Sequence, residues 1–167
     1  REAKGDLPRI YCDMDGVLCD FIVQAKKATG VIFTQDKAKE HWDVIKKYPK
    51  FWSNMPWMPG GKQLWNYINK YKPHILSAYT IEDPNCIPGK NTWLRRNVSI
   101  SSGNINLVRR RDKQRFAMKS SGTRRPAILI DDFKNNINEF RAAGGIGIHH
   151  TSTSKTISEL KKLGFDK

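Results

Sequence analysis

Short apolar runs ending in a polar or acidic residue recur along the chain, and helix-period patterns fill most of the gaps between them. Pro8-Arg9-Ile10-Tyr11-Cys12-Asp13 is the first run. His74-Ile75-Leu76-Ser77, Ile105-Asn106-Leu107-Val108 and Ala127-Ile128-Leu129-Ile130-Asp131-Asp132 repeat it, and Ile146-Gly147-Ile148-His149 is a fifth candidate. Such runs fit strands buried in a parallel sheet better than alternating surface strands. Leu64, Trp65, Ile68 and Tyr71 share one face of a predicted helix opened by Pro59-Gly60-Gly61 and stopped by Pro73. Ile137 and Phe140 mark a second, predicted over 135–143 and closed by Gly144-Gly145. Ile157, Leu160 and Leu163 mark the last, with Ser154 as its N-cap and Gly164 just past its end. Strands alternating with helices predict an α/β architecture, a Rossmann-like open parallel sheet with helices on both faces. In such sheets the ligand crevice lies beyond the carboxyl ends of the strands, where Asp13, Ser77 and the Asp131-Asp132 pair fall.

One region breaks the alternation. From about residue 20 to 59 the pattern is helical (Ala38, Trp42 and Ile45 on one face) with no convincing strand, and Phe21, Phe33, Trp42, Tyr48, Phe51, Trp52 and Trp57 crowd into it. An insertion after the first strand is expected to sit over the strand ends as a small helical cap. Residues 7–167 then read as one domain carrying that cap, long enough to bury a core.

Composition narrows the partners. Thirty Lys and Arg against 16 Asp and Glu leave a net charge of +14, a bias towards anionic ligands. Residues 109–125 hold eight of the basic residues and one acid, Asp112. That run reads either as a solvated face or as a basic rim that steers nucleotides or grips a nucleic-acid backbone, and Ser120-Ser121-Gly122 inside it suggests a loop. The apolar runs are a few residues long, so no segment is expected to span a membrane. Residues 1–6 lack the apolar core of a signal peptide, and the missing initiator Met is that expected of a fragment or processed product. Cys12, Cys19 and Cys86 sit at no zinc-like spacing; reduced thiols in a cytoplasmic protein are the expectation.

The chemistry concentrates in carboxylates. Asp13-Met14-Asp15-Gly16 follows the first strand on a tight, Gly-containing turn. Like charges so close resist joint ionisation unless a cation lies between them or one keeps a proton. One Asp can then act as nucleophile while the other works as acid and base. The competing reading is a surface turn, where Asp and Gly are common. Asp131-Asp132 ends the strongest apolar strand; it reads as an oxygen-rich site suited to Mg²⁺, or as a solvated turn capping the next helix.

Asp13-x-Asp15-Gly16-Val17, a hydroxyl residue ending the second strand, a downstream Lys and Asp131-Asp132 resemble the four motifs of the haloacid dehalogenase superfamily. Within it the chain is most similar to the 5′(3′)-deoxyribonucleotidase family. Asp13-Met14-Asp15-Gly16-Val17-Leu18-Cys19-Asp20-Phe21 is close to that family's DMDGVLADF, and Pro88-Gly89-Lys90-x-x-Trp93 resembles its GK-x-x-W segment. Arg111-Asp112-Lys113 resembles its RDK, and Leu129-Ile130-Asp131-Asp132 its LIDD. The likeness runs from about residue 9 to 149 with the motifs in order. The chain departs from the family in having Ser77 where Thr is usual, and in a longer spacer between Lys113 and Asp131-Asp132.

The resemblance implies a Mg²⁺-dependent phosphatase that hydrolyses nucleoside monophosphates, deoxyribonucleotides foremost, through an aspartyl-phosphate. Asp13 would be the nucleophile and Asp15 the acid and base. Mg²⁺ would be held by Asp13, the Asp15 carbonyl and the Asp131-Asp132 pair, with Asp132 as direct ligand. Ser77 and Lys113 would bind phosphate, with Arg115 and Lys119 as other candidates for the Lys113 role and Lys90 as a second cation near the phosphate. Phe21 matches a pocket aromatic of that family, and Phe51 and Trp52 are further candidates to stack on a base. The alternatives are a phosphatase of phosphorylated nucleic-acid ends and a catalytically silent nucleic-acid-binding module on the same fold. His149-His150 lacks a third ligand and reads as structural, and Cys12 as a small core residue.

Overall fold

The computed structural model describes residues 7–118 and 125–167. These form a five-stranded sheet from β1 (Ile10–Cys12), β2 (His74–Ala78), β3 (Ile105–Val108), β4 (Ile128–Asp131) and β5 (Ile146–His149). All pairings are parallel, in the order β3-β2-β1-β4-β5. β1 is central, with Tyr11 level with His74 on one side and Leu129 on the other. The chain runs outward through β2 and β3, then crosses back to β4 beside β1. That reversal opens a crevice beyond the ends of β1, β2 and β4.

Period-2 alternation divides the strands between two apolar layers. Ile10, Cys12, Ile75, Ile128, Ile130 and Ile148 face one, with Leu64, Trp65 and Ile68 of α3 (Gly61–Ile68), Trp93 and Leu94 of α4 (Cys86–Asn97) and Leu160 of α6 (Thr153–Lys162). Tyr11, Leu76 and Leu129 face the other, with Ala117 and with Ile137 and Phe140 of α5 (Lys134–Ala142). Burial on both faces is why these strands read as continuous apolar runs. α4 is not among the elements the sequence pattern predicts, and the described residues between β3 and β4 form a 3-10 helix (Arg110–Phe116) and no α-helix. The N-cap of α6 is Ser152, whose Oγ accepts from the Lys155 N–H at 3.2 Å, and not Ser154, which lies inside the helix. No helix among the described residues is long and apolar enough to cross a membrane. Cys12, Cys19 and Cys86 are buried and unpaired.

Between β1 and α3 the chain forms α1 (Phe21–Thr29) and α2 (Ala38–Ile45) and no strand of the sheet. Phe21 meets Phe33, Trp42, Phe51 and Trp52, and the Trp42 and Trp52 rings stack at 6.0 Å and 20°. This aromatic layer is bolted to the sheet domain by hydrogen bonds from Trp93 Nε1 to the Met55 carbonyl (2.7 Å) and from Trp52 Nε1 to Asp83 Oδ2 (2.8 Å). A Cβ on Gly89 of α4 would lie 2.5 Å from Trp52 Cβ, so only glycine lets the two segments close this tightly.

Candidate active site

Asp13 leaves β1 with its N–H bonded to the Ile130 carbonyl of β4 (3.0 Å), and the Met14 N–H turns back to Asp13 Oδ1 (2.8 Å). The turn closes on the Met14 carbonyl, which accepts from the N–H groups of Val17, Leu18 and Cys19. Gly16 supplies the left-handed backbone it needs (φ +83°), and a Cβ there would lie 2.1 Å from Asp132 Oδ2. The missing side chain is therefore what lets the Asp132 carboxylate approach the Asp13 turn.

Asp131, the last residue of β4, is held from every side. Its Oδ1 accepts from the Phe133 N–H (2.9 Å), and its Oδ2 accepts from Lys113 Nζ (2.8 Å) and Asn136 Nδ2 (3.0 Å). Lys113 Nζ also stands 3.1 Å from Asp13 Oδ1, with both side chains almost fully buried. Asp13, Asp131 and Asp132 each bring a carboxylate oxygen within 4.8 Å of the others. Asp13 and Asp131 thus share one direct cationic partner, Lys113, with the Asp132 carboxylate close beside them.

The electrostatics follow. Burial, with the Asp131 charge beside it, pushes the Asp13 carboxyl up to about 8, against the pull of Lys113. Burial and Asp131 likewise raise Asp132 to about 6. Burial alone would lower the Lys113 ammonium, but Asp13 and Asp131 outweigh it and hold it above its ordinary value. An all-oxygen cluster short of positive charge is chemically suited to a hard divalent cation. Asp131 has its oxygens bonded to Phe133, Lys113 and Asn136, and Asp13 and Asp132 are the carboxylates beside it that could hold such an ion.

Asp15 points into the cavity, and its Oδ2 lies 2.9 Å from Lys90 Nζ. Lys90, buried in α4, also donates to Ser77 Oγ (2.7 Å) and the Ala78 carbonyl (2.9 Å), so it ties the end of β2 to the turn after β1. Burial alone would depress its ammonium; Asp15 and Cys86 more than offset this and raise it. Lys90 Nζ lies 5.5 Å from the centre of the Trp52 ring as well.

A cavity of about 750 Å³ opens over these groups. Asp13, Asp15, Asp131, Asp132, Lys113 and Arg110 line its polar side, and Phe21, Ile22, Phe33, Trp42 and Trp52 its apolar side. Ser77 is wholly buried beneath it. Phe51 is not part of the wall: it is buried against Phe21 and Trp52. Of the three candidate cations, Lys113 reaches Asp13, whereas Arg115 is exposed and pairs with Asp112 (3.4 Å). Lys119, the 120–122 loop and Arg124 lie outside the described residues. His150 Nδ1 and Thr156 Oγ1 are hydrogen-bonded at 2.7 Å, His149 Nε2 lies 2.9 Å from the Asp132 carbonyl, and Cys12 is core.

Asn136, Arg110, Phe33 and Trp42 are site residues that sequence reasoning missed as such. Trp42 and Phe33 were visible as aromatics of the 20–59 region, and Arg110 as part of the basic run. Asn136 carried no signal, since its role depends on α5 turning it back onto Asp131.

No protein-family model and no curated protein matches the chain in sequence. Solved structures do match. A HAD family hydrolase from Deinococcus radiodurans with bound phosphate and sodium superposes at TM-score 0.59 and 11% identity, covering 96% of this chain and 98% of that one. A hydrolase from Streptococcus pneumoniae gives TM-score 0.57 at 12% identity, covering 93% and 99%. A phosphonoacetaldehyde hydrolase-like protein from Oleispira antarctica gives 0.51 at 14%, covering 98% and 89%. What is shared at these identities is the architecture: this chain has the α/β fold of the haloacid dehalogenase-like hydrolases.

Proposed function

We propose that the chain is a Mg²⁺-dependent phosphatase that removes phosphate from nucleoside monophosphates, deoxyribonucleotides foremost, by way of a phosphoryl group carried on Asp13. The observation that carries this reading is the convergence on Asp13 of Lys113, Asp131 and Asp132, with Asp15 facing the same cavity. The motif resemblance and the hydrolase neighbours of the same fold support it. Residues 20–59 would act as the cap, with Phe21 and Trp52 taking the base and Phe51 bracing them from behind.

In the first step an Asp13 carboxylate oxygen attacks phosphorus, the bond to the ester oxygen breaks, and Asp15 gives the departing alkoxide its proton. In the second, Asp15 takes a proton from water, the resulting hydroxide attacks phosphorus, and the bond to Asp13 breaks to release phosphate. Lys113 balances charge on the phosphoryl oxygens in both steps, and Lys90 and Ser77 brace Asp15 and the end of β2. A divalent cation held by Asp13, Asp132 and the Asp15 carbonyl, with Asp131 fixed behind them, would supply the remaining positive charge.

The test is phosphate release from a panel of mononucleotides and from p-nitrophenyl phosphate, with Mg²⁺ and with EDTA. Asp13→Asn should abolish turnover. Asp15→Asn should stop nucleotide hydrolysis yet still form phosphoenzyme from p-nitrophenyl phosphate, whose leaving group needs no proton. Full activity in EDTA, or in Asp13→Asn free of deamidation, would overturn the proposal.

A further inference from the structure

We infer that Arg110 and Phe133 form a rim subsite for a second nucleotide unit, so that the site takes the phosphorylated end of a single-stranded oligonucleotide as well as a mononucleotide. This rests on the phosphatase reading of the same cavity and extends its substrate class.

Phe133 directly follows the acidic pair, lines the cavity, and remains 45% exposed. Its place is fixed by its own backbone, because its N–H is bound to Asp131 Oδ1 (2.9 Å). The Arg110 guanidinium carbon lies 5.7 Å from the centre of its ring. Arg110 is itself held, donating to Asn136 Oδ1 (2.9 Å) and approaching the Glu139 carboxylate at 3.4 Å. An exposed aromatic ring beside a braced arginine is the pairing that single-stranded nucleic acids use, base on ring and phosphate on guanidinium. Two held side chains also lose little freedom on binding.

The placement suits a second unit rather than the first. The inner aromatic wall, with Phe21, Trp42 and Trp52, comes from the segment between β1 and α3. Phe133 and Arg110 belong to the start of α5 and the turn after β3. A mononucleotide whose phosphate sits on Asp13 has one base and can use one of these surfaces. A chain continuing through a phosphodiester has a second base and a second anion for the other. Arg109 and Arg111 flank Arg110 and are exposed, so the path onward is basic. Glu139 is the one carboxylate facing Arg110 from α5, and it leaves the other guanidinium donors to the phosphodiester.

The experiment compares kcat/KM for deoxynucleoside monophosphates with that for 5′- and 3′-phosphorylated trinucleotides, in wild type, Phe133→Ala, Phe133→Trp and Arg110→Gln. Wild type should favour the trinucleotides. Phe133→Ala should lower that preference about tenfold, and Phe133→Trp should keep it. Arg110→Gln should flatten the salt dependence of trinucleotide binding by about one phosphate contact. No preference in wild type, or an equal loss on both substrates in Phe133→Ala, would overturn the inference while leaving the phosphatase reading intact. If no phosphomonoester is hydrolysed, the phosphatase reading fails, and anisotropy with a labelled phosphorylated trinucleotide decides the subsite alone. Binding that Phe133→Ala weakens supports it, and binding indifferent to Phe133 or absent sinks it.

Discussion

Lys113 Nζ stands 3.1 Å from Asp13 Oδ1, and both side chains are withdrawn from water. Because the same ammonium also holds Asp131 at 2.8 Å, one buried positive charge keeps two buried carboxylates tolerable.

Removing that charge should be severe. Lys113→Met leaves Asp13 and Asp131 facing each other with no cation, and we expect a loss of about 3–5 kcal/mol in stability, as for a broken buried pair. Urea unfolding at pH 7 and pH 9 measures it. The loss should grow at pH 9, above the Asp13 value of about 8, where Asp13 sheds its proton beside Asp131 and only Lys113 makes that tolerable, and an equal loss at both pH values would contradict the account.

A cation should trade places with protons. Asp13 at about 8 and Asp132 at about 6 lie above the ordinary carboxyl value, so at these two groups the folded metal-free protein binds more protons than the unfolded chain between about pH 4 and 8. Their contribution to stability is then full at low pH and is lost as pH rises through 6 and 8. Mg²⁺ must displace those protons, so its apparent affinity and the rise in Tm it causes should both grow from pH 5.5 to pH 8. Thermal unfolding with and without Mg²⁺ tests this; a cation effect that weakens with rising pH would refute it.

Gly16 should tolerate nothing larger. Gly16→Ala meets Asp132 at 2.1 Å and must also hold a positive φ, which costs about 1–3 kcal/mol. Asp132 has to move, and the affinity for Mg²⁺ should fall at least about tenfold. Calorimetric titration with Mg²⁺ gives the answer, and unchanged affinity would mean that Asp132 does not hold the ion.

Asp83 should act on substrate binding rather than on chemistry. Its Oδ2 receives the Trp52 indole N–H at 2.8 Å and its Oδ1 receives the Asn85 N–H at 2.9 Å. Asp83→Ala frees the wall of the cavity, so KM for nucleotides should rise several-fold while kcat for p-nitrophenyl phosphate changes little. A fall in both kcat values would instead place Asp83 in the catalytic step.

The strands were legible because both faces of the sheet are buried, which leaves Ile10 to Cys12 and Ile128 to Ile130 no polar position to blur the run. The acids that end those runs placed Asp13 and Asp131-Asp132 at the crevice. α4 was not legible: it carries Pro88, Gly89 and a buried Lys90, and its inward face is written in contacts with Trp52 and Asp15 rather than in a clean apolar stripe. The N-cap expected at Ser154 lies instead at Ser152 because the Leu-Ile spacing fixes a helix's face but not its first residue, which here is set by Ser152 Oγ accepting from the Lys155 N–H. Phe51 and Trp52 look alike as neighbours in sequence. Only the packing of Phe21 over them turns one into cavity wall and the other into its backing.

The position of Trp52 also makes the protein its own indicator. Its ring borders the cavity, its N–H is tied to a carboxylate, and an ammonium lies 5.5 Å from its centre. Indole emission responds to nearby charge and to water, and of the five tryptophans only Trp42 joins it on that wall. Occupancy of the pocket is therefore readable as a change in intrinsic fluorescence, without label or turnover, and a Trp42→Phe protein would narrow the signal to one ring.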